Sequence, residues 1–131
     1  MIYALDIPGK LPTLNEYSDA ERACRYKGSG LKRRTQAGIR ALCVGAPRFD
    51  GHVYVGFAWV RPDRRCDKDN VAFAKKFVLD ALQEAGVIKR DSWNLCTPYD
   101  HSFRVNPNNP RTVVVVGDDP EEVRKELAER V

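Results

Sequence analysis

The sequence predicts an α+β fold: a single domain with a mixed β-sheet and helices packed mainly on one face. Three observations carry this. The chain has 131 residues, which suits one domain around one hydrophobic core. Alternating apolar runs of strand length and longer runs of helical period are both present, but they do not alternate strictly along the chain. No internal repeat, low-complexity stretch or second domain interrupts them, so residues 1–131 read as one unit.

Ile2 to Ile7 alternates and is rich in apolar residues, which predicts an opening strand. Pro8-Gly9 and Pro12 follow as a turn and an extended stretch. Ser18-Asp19-Ala20-Glu21 has the capping-box pattern, which predicts a helix start there. Gly28-Ser29-Gly30 then reads as an interruption, either a hinge that orders on a ligand or a plain surface turn. A second helical piece is expected from about Leu31 to Val44, stopped by Gly45 and Pro47.

His52 to Val60 reads as a central strand, because both faces are apolar: Val53, Val55, Phe57 and Trp59 on one, Tyr54, Ala58 and Val60 on the other. Pro62 ends it. Asn70 to Ala85 carries an apolar stripe of Val71, Ala74, Val78, Ala81, Leu82 and Ala85, closed by Gly86, which predicts one helix. A weaker strand signal lies within Leu95 to Val105. Asn106 to Pro110 is a turn, and Thr112 to Val116 is a β-branched strand. Asp119-Pro120-Glu121-Glu122 starts a last helix, with an N-cap and a proline in the first turn.

The composition excludes several function classes. The ordinary apolar fraction excludes a disordered or fibrous chain. No apolar run approaches a membrane span. Asp6 and Pro8 break the opening apolar run too early for a signal peptide, so a cytosolic location is expected. Cys24, Cys43, Cys66 and Cys96 are scattered without zinc spacing and are expected to be free thiols. The net charge of +4 is less informative than its distribution. No Asp or Glu occurs from Arg22 to Phe49, a stretch that includes Arg25, Lys27, Lys32, Arg33 and Arg34. Such a segment suits a phosphate backbone or is a solvated basic helix face.

The chemistry concentrates after the central strand, in Arg61-Pro62-Asp63-Arg64-Arg65-Cys66-Asp67-Lys68-Asp69-Asn70. Asp67 and Asp69 are two apart, and on extended backbone both carboxylates would point to one side. Paired carboxylates repel unless a cation lies between them, and hard oxygen ligands suit Mg²⁺ or Mn²⁺. Asp91, beyond the helix, is a third candidate ligand if the chain returns it towards Asp67. The competing readings are an N-cap role for Asp69 or Asn70 and ordinary surface charge. An EF-hand is excluded, because its glycine and closing glutamate are missing. His52 and Trp59 read as structural. His101 is placed on a loop that could approach the site. Trp93 reads as packing against the helix, with stacking on an unpaired base as the alternative.

A strand ending in R-P-D, then D-x-D-N, then a helix with Lys76 and Asp80, then L-x-x-A-G-V-I and an aspartate, resembles the RusA-type Holliday junction resolvases. Ile7-Pro8-Gly9 and Leu14-Asn15-x-Tyr17 are also similar to that family's start, so the resemblance spans most of the chain. Two features depart from the pattern. Arg90-Asp91 stands where the family has paired aspartates, and Lys76 follows Asp69 at a spacing longer by three residues. The resemblance implies a small homodimeric, Mg²⁺-dependent endonuclease that resolves four-way DNA junctions by paired nicks, as in phages and prophages. It assigns Asp67, Asp69 and Asp91 to the metal and Lys76 to the developing charge on the phosphate. Arg25, Lys27, Lys32, Arg33, Arg34, Arg64, Arg65 and Lys68 are the candidate backbone contacts. Lys76 is expected to pair with Asp80, and Lys75 to be solvated. The alternative is a branched-DNA-binding accessory protein that does not cut.

Overall fold

A computed structural model describes all 131 residues. The elements run β1 (Ile2–Pro8), α1 (Leu14–Ala23), α2 (Arg25–Leu42), β2 (Val53–Arg61), α3 (Lys68–Ala72), α4 (Lys75–Glu84), β3 (Cys96–Val105), β4 (Arg111–Gly117) and α5 (Pro120–Arg130). The four strands form one sheet in the order β1-β4-β2-β3. Both β1/β4 and β4/β2 are antiparallel, and β2/β3 is parallel, so the sheet is mixed. The fold is α+β, as the sequence predicts.

The period-2 alternation of β2 explains the layering. Val53, Val55, Phe57 and Trp59 join the larger core, with Leu5, Ile7, Ile39, Val71, Phe77, Val78 and Leu82 from β1 and the helices. Ala58 faces the other way and packs with Val113, Val115, Val123 and Leu127 under α5. Four helices therefore cover one face and α5 alone covers the other. No helix is long and apolar enough to cross a membrane.

Three local expectations are corrected. The first helix starts at Leu14, not near Ser18. Thr13-x-x-Glu16 satisfies the same capping pattern as Ser18-x-x-Glu21, and the Thr13 hydroxyl accepts from the Glu16 amide at 3.2 Å. Gly28-Ser29-Gly30 is no interruption, because α2 runs straight through it. The break lies at Cys24, which is extended. Gly28 is buried, and a Cβ there would stand 2.5 Å from the Glu21 Cγ. The glycine serves the close approach of α1 to α2 rather than a hinge. The expected helix from Asn70 to Ala85 is two pieces, α3 and α4, parted at Phe73–Ala74. Neither proline nor glycine causes this break. The Phe73 ring packs against Tyr17 of α1 and Phe77 of α4, at centroid distances of 5.7 and 5.5 Å.

Interhelical contacts fix how the helices lie. Gln36 donates to Asp80 at 3.3 Å, and Arg40 pairs with Glu84 four residues further along both helices. So α2 and α4 run in the same direction. Asn15 N–H donates to the Asn70 side-chain oxygen at 2.9 Å, which ties the start of α1 to α3.

Candidate functional site

The parallel pairing of β2 and β3 brings Arg61 opposite Val105 at their C-terminal ends. A cavity of about 290 Å³ opens there. Ligand sites in sheets with parallel strands favour this end, where the connecting backbone parts. Four cations line the cavity: Arg61, Arg64, Lys68 and Arg104. Two carboxylates, Asp63 and Asp67, share it. Val71, Phe103 and Val105 give it an apolar wall.

The lining residues are held by short-range contacts. The Lys68 ammonium lies 5.5 Å from the centroid of the Phe103 ring, in cation–π range. Arg61 donates to the Cys66 sulfur at 3.8 Å. The Asp63 carboxylate accepts from the Arg65 amide at 3.0 Å, which folds the chain sharply after Pro62. Arg64 is thereby placed at the cavity, while Arg65 has 88% of its side chain in solvent.

Asp67 is the N-cap of α3, so neither Asp69 nor Asn70 fills that role. Its carboxylate makes no capping bond, which leaves it open to the cavity. Asp69 lies in the first turn of α3 and is exposed. The extended backbone assumed between the two aspartates is therefore absent, and the same-side argument does not apply.

Asp91 stands elsewhere. It lines a groove with Trp93, Cys96, Thr97 and Pro98, at the start of β3. Burial pushes the Cys96 thiol up to about 11, and the nearby Asp91 charge adds to that shift. From Val53 to Arg61 the β2/β3 pair is eight steps long, roughly 26 Å at about 3.3 Å per residue. The physical reason is the parallel pairing. The chain must travel back down the sheet through α4 before β3 can start, and Asp91 comes at the end of that journey. No group of three or more His, Cys, Asp or Glu side chains is placed to hold a metal ion. Within this chain Asp91 therefore does not join Asp67 at the cleft, which leaves Asp67 and its neighbour Asp69 as the carboxylates that would meet a cation there.

The two lysines of α4 exchange their expected settings. Lys75 is partly buried and its ammonium meets Asp100 at 2.8 Å. The same Asp100 oxygen accepts from the buried Trp59 indole at 2.9 Å. Lys76 is exposed, and Asp80 pairs instead with Lys32 at 3.7 Å. Lys75 lies three, four and seven residues before the buried Val78, Leu79 and Leu82, so it sits beside the apolar face of α4, and Asp80 is taken by Lys32 of α2.

The basic segment is divided. Arg25, Lys27 and Arg33 are exposed, Lys32 is committed to Asp80, and Arg34 lines a separate groove against Leu11 and Pro12. His101 is not on a loop. It sits at the bulge of β3 and faces α5, where burial and then Arg104 and Arg124 hold its pKa below the usual range. His52 bridges the Asn94 carbonyl and Thr97 at 2.9 and 2.7 Å, a structural role. Trp93 does not pack against the helix, because it is 98% exposed.

Sequence reasoning missed Arg61, Phe103 and Arg104 as cavity residues. Arg61 was visible as the residue before Pro62 that ends the strand. Arg104 carried no local signal, because only the parallel pairing brings it there. No family model matches the chain, and no curated protein matches it, so the resemblance to the RusA-type resolvases rests on the residues quoted for it.

Proposed function

We propose that the chain is a Mg²⁺-dependent endonuclease that acts on branched DNA, with the cavity at the C-terminal ends of β2 and β3 as its contact with the scissile strand. One observation carries the reading: a carboxylate free of any capping bond, Asp67, stands among four cations in one cleft. Arg61, Arg64, Lys68 and Arg104 would seat a phosphodiester and offset its charge. Asp67 would stand beside that phosphate, with Asp69 in the first turn of α3. The apolar wall of Val71, Phe103 and Val105 would limit water around it. Contacts of this kind read charge and shape rather than base sequence. Mg²⁺, if held by Asp67 and Asp69, would lower the pKa of a bound water and polarise the phosphate. A four-way junction presents two equivalent strands, and a two-fold homodimer would supply two matched clefts.

A second reading has one specific observation in its favour. The separation of Asp91 from Asp67 leaves the three-aspartate set unassembled, which suits a protein that binds branched DNA without cutting it. Synthetic four-way junctions separate these readings. An endonuclease gives paired nicks with Mg²⁺ and none with a chelator. A binder shifts the junction on a gel without nicking it. A protein that does neither has its acidic and basic groups for another partner, and the proposal fails.

A further inference from the structure

Trp93 stands in solvent with 98% of its surface exposed, on the segment between α4 and β3. Tryptophan is highly buried on average, so exposure this complete leaves a large apolar ring without a partner. The ring is not on a loose tail. The Ser92 carbonyl accepts from the amides of Leu95 and Cys96 at 3.1 and 2.9 Å, which closes the turn around Trp93. His52 holds the Asn94 carbonyl from the other side at 2.9 Å. The turn therefore fixes the backbone that carries the ring.

The surroundings select the occupant. Lys89 and Arg90 precede the turn, and both are exposed and outside every ion pair of the protein. Asp91 is the single carboxylate between them and the ring. No other large apolar residue of the segment between α4 and β3 is exposed, and Val105 stands at the far end of β3. A lone ring with free cations lacks the contiguous apolar core of a protein interface. A π-face flanked by cations suits an unpaired base and its phosphates.

We propose that Trp93 stacks on an unpaired base of DNA while Lys89 and Arg90 hold the flanking phosphates, as a second contact remote from the cleft. The proposal rests on the reading of the chain as a branched-DNA protein. The strands that separate the two contacts span roughly 26 Å, about the length of seven or eight base pairs at about 3.4 Å each. One branched substrate could therefore reach both, with paired arm at the cleft and opened bases at Trp93.

The protein's two tryptophans make the test direct, because Trp59 is buried at 1% exposure and Trp93 is open. Acrylamide should quench Trp93 in the free protein, and a single-stranded oligothymidylate should shield it. Trp93→Ala should weaken oligothymidylate binding about tenfold or more, the scale of one base–aromatic stack. Its effect on a blunt duplex should stay under about twofold, and Trp93→Phe should retain most of the single-strand affinity. Equal losses on both DNAs overturn the proposal, as does a Trp93 that stays fully quenchable at saturating oligothymidylate. Shielding that grows with protein concentration in the absence of DNA also overturns it, because a second copy then covers the ring. If Trp93→Ala binds both DNAs like the wild type, this proposal alone fails. If the wild-type protein binds no DNA at all, the branched-DNA reading fails with it.

Discussion

Replacing Asp100 by alanine should destabilise the protein by about 2 kcal/mol. One Asp100 oxygen accepts both from the Trp59 indole at 2.9 Å and from the Lys75 ammonium at 2.8 Å. Trp59 is 1% exposed, so without Asp100 its N–H is buried with no partner, which costs about 1–3 kcal/mol. The ion pair adds less. The Lys75 and Asp100 side chains keep 28% and 30% of their surface in solvent, so their attraction is partly screened and contributes under about 1 kcal/mol. For a domain of this size the total corresponds to a fall in Tm of roughly 6–10 °C. Urea unfolding followed by Trp59 fluorescence in a Trp93→Phe background measures it, since one tryptophan then reports alone. Lys75→Met keeps the indole bond and should cost under about 1 kcal/mol. If Asp100→Ala lies within about 0.5 kcal/mol of the parent, or if Lys75→Met costs as much as Asp100→Ala, the shared-oxygen account is wrong.

Three further outcomes follow from the packing and the charges. Gly38→Ala should stabilise by about 0.5–1 kcal/mol, because α2 gains helix propensity and a Cβ there meets nothing within 4 Å. Gly28→Ala should show no gain or a loss, because its Cβ would press on Glu21; thermal unfolding of the two variants should give opposite signs. In a thiol-reagent titration of the native protein near pH 8, Cys24 and Cys66 should react before Cys43 and Cys96. The latter two are buried, burial raises both thiols, and Cys96 at about 11 gains appreciable thiolate only as the pH approaches that value. Junction affinity should fall steeply with salt, and Arg64→Ala with Lys68→Ala should lower the log–log slope by roughly 2, at about 0.9 for each phosphate that is no longer neutralised. An unchanged slope would place the DNA away from the cleft.

The legible parts of this chain were those whose signal is local. The alternation of Val53 to Trp59, the β-branched run of Thr112 to Val116 and the capped start of α5 at Asp119 all stand as the sequence predicts. The start of α1 was ambiguous, since Thr13 and Ser18 both precede a glutamate by three residues. Buried Thr13 wins through its bond to the Glu16 amide. Gly28 follows the rule that tertiary packing overrides propensity, because α1 needs the space a side chain would fill. The break between α3 and α4 lies in an unbroken apolar stripe, at Phe73, whose ring meets Tyr17 of a distant segment.

The candidate site was legible in the same measure. Asp67, Arg64 and Lys68 lie at the cleft, as neighbours on one loop would. Arg104 and Phe103 reach it only through the parallel pairing of β2 with β3, which no local pattern encodes. The same pairing carries Asp91 to the opposite end. Lys75 and Asp80 take partners from distant segments, Asp100 of β3 and Lys32 of α2, which no pattern within α4 encodes.

The endonuclease reading is tested most directly by the fate of a labelled four-way junction incubated with the wild-type protein and with Asp67→Asn, in Mg²⁺ and in a chelator. Paired nicks are expected from the wild type only with Mg²⁺, and none from Asp67→Asn, which still shifts the junction because Arg61, Arg64, Lys68 and Arg104 remain. A junction that is shifted but never cut, at any Mg²⁺ or Mn²⁺ concentration, would contradict the endonuclease and leave a binding protein. Cutting by Asp67→Asn at the wild-type rate would contradict the placement of the chemistry at this cleft.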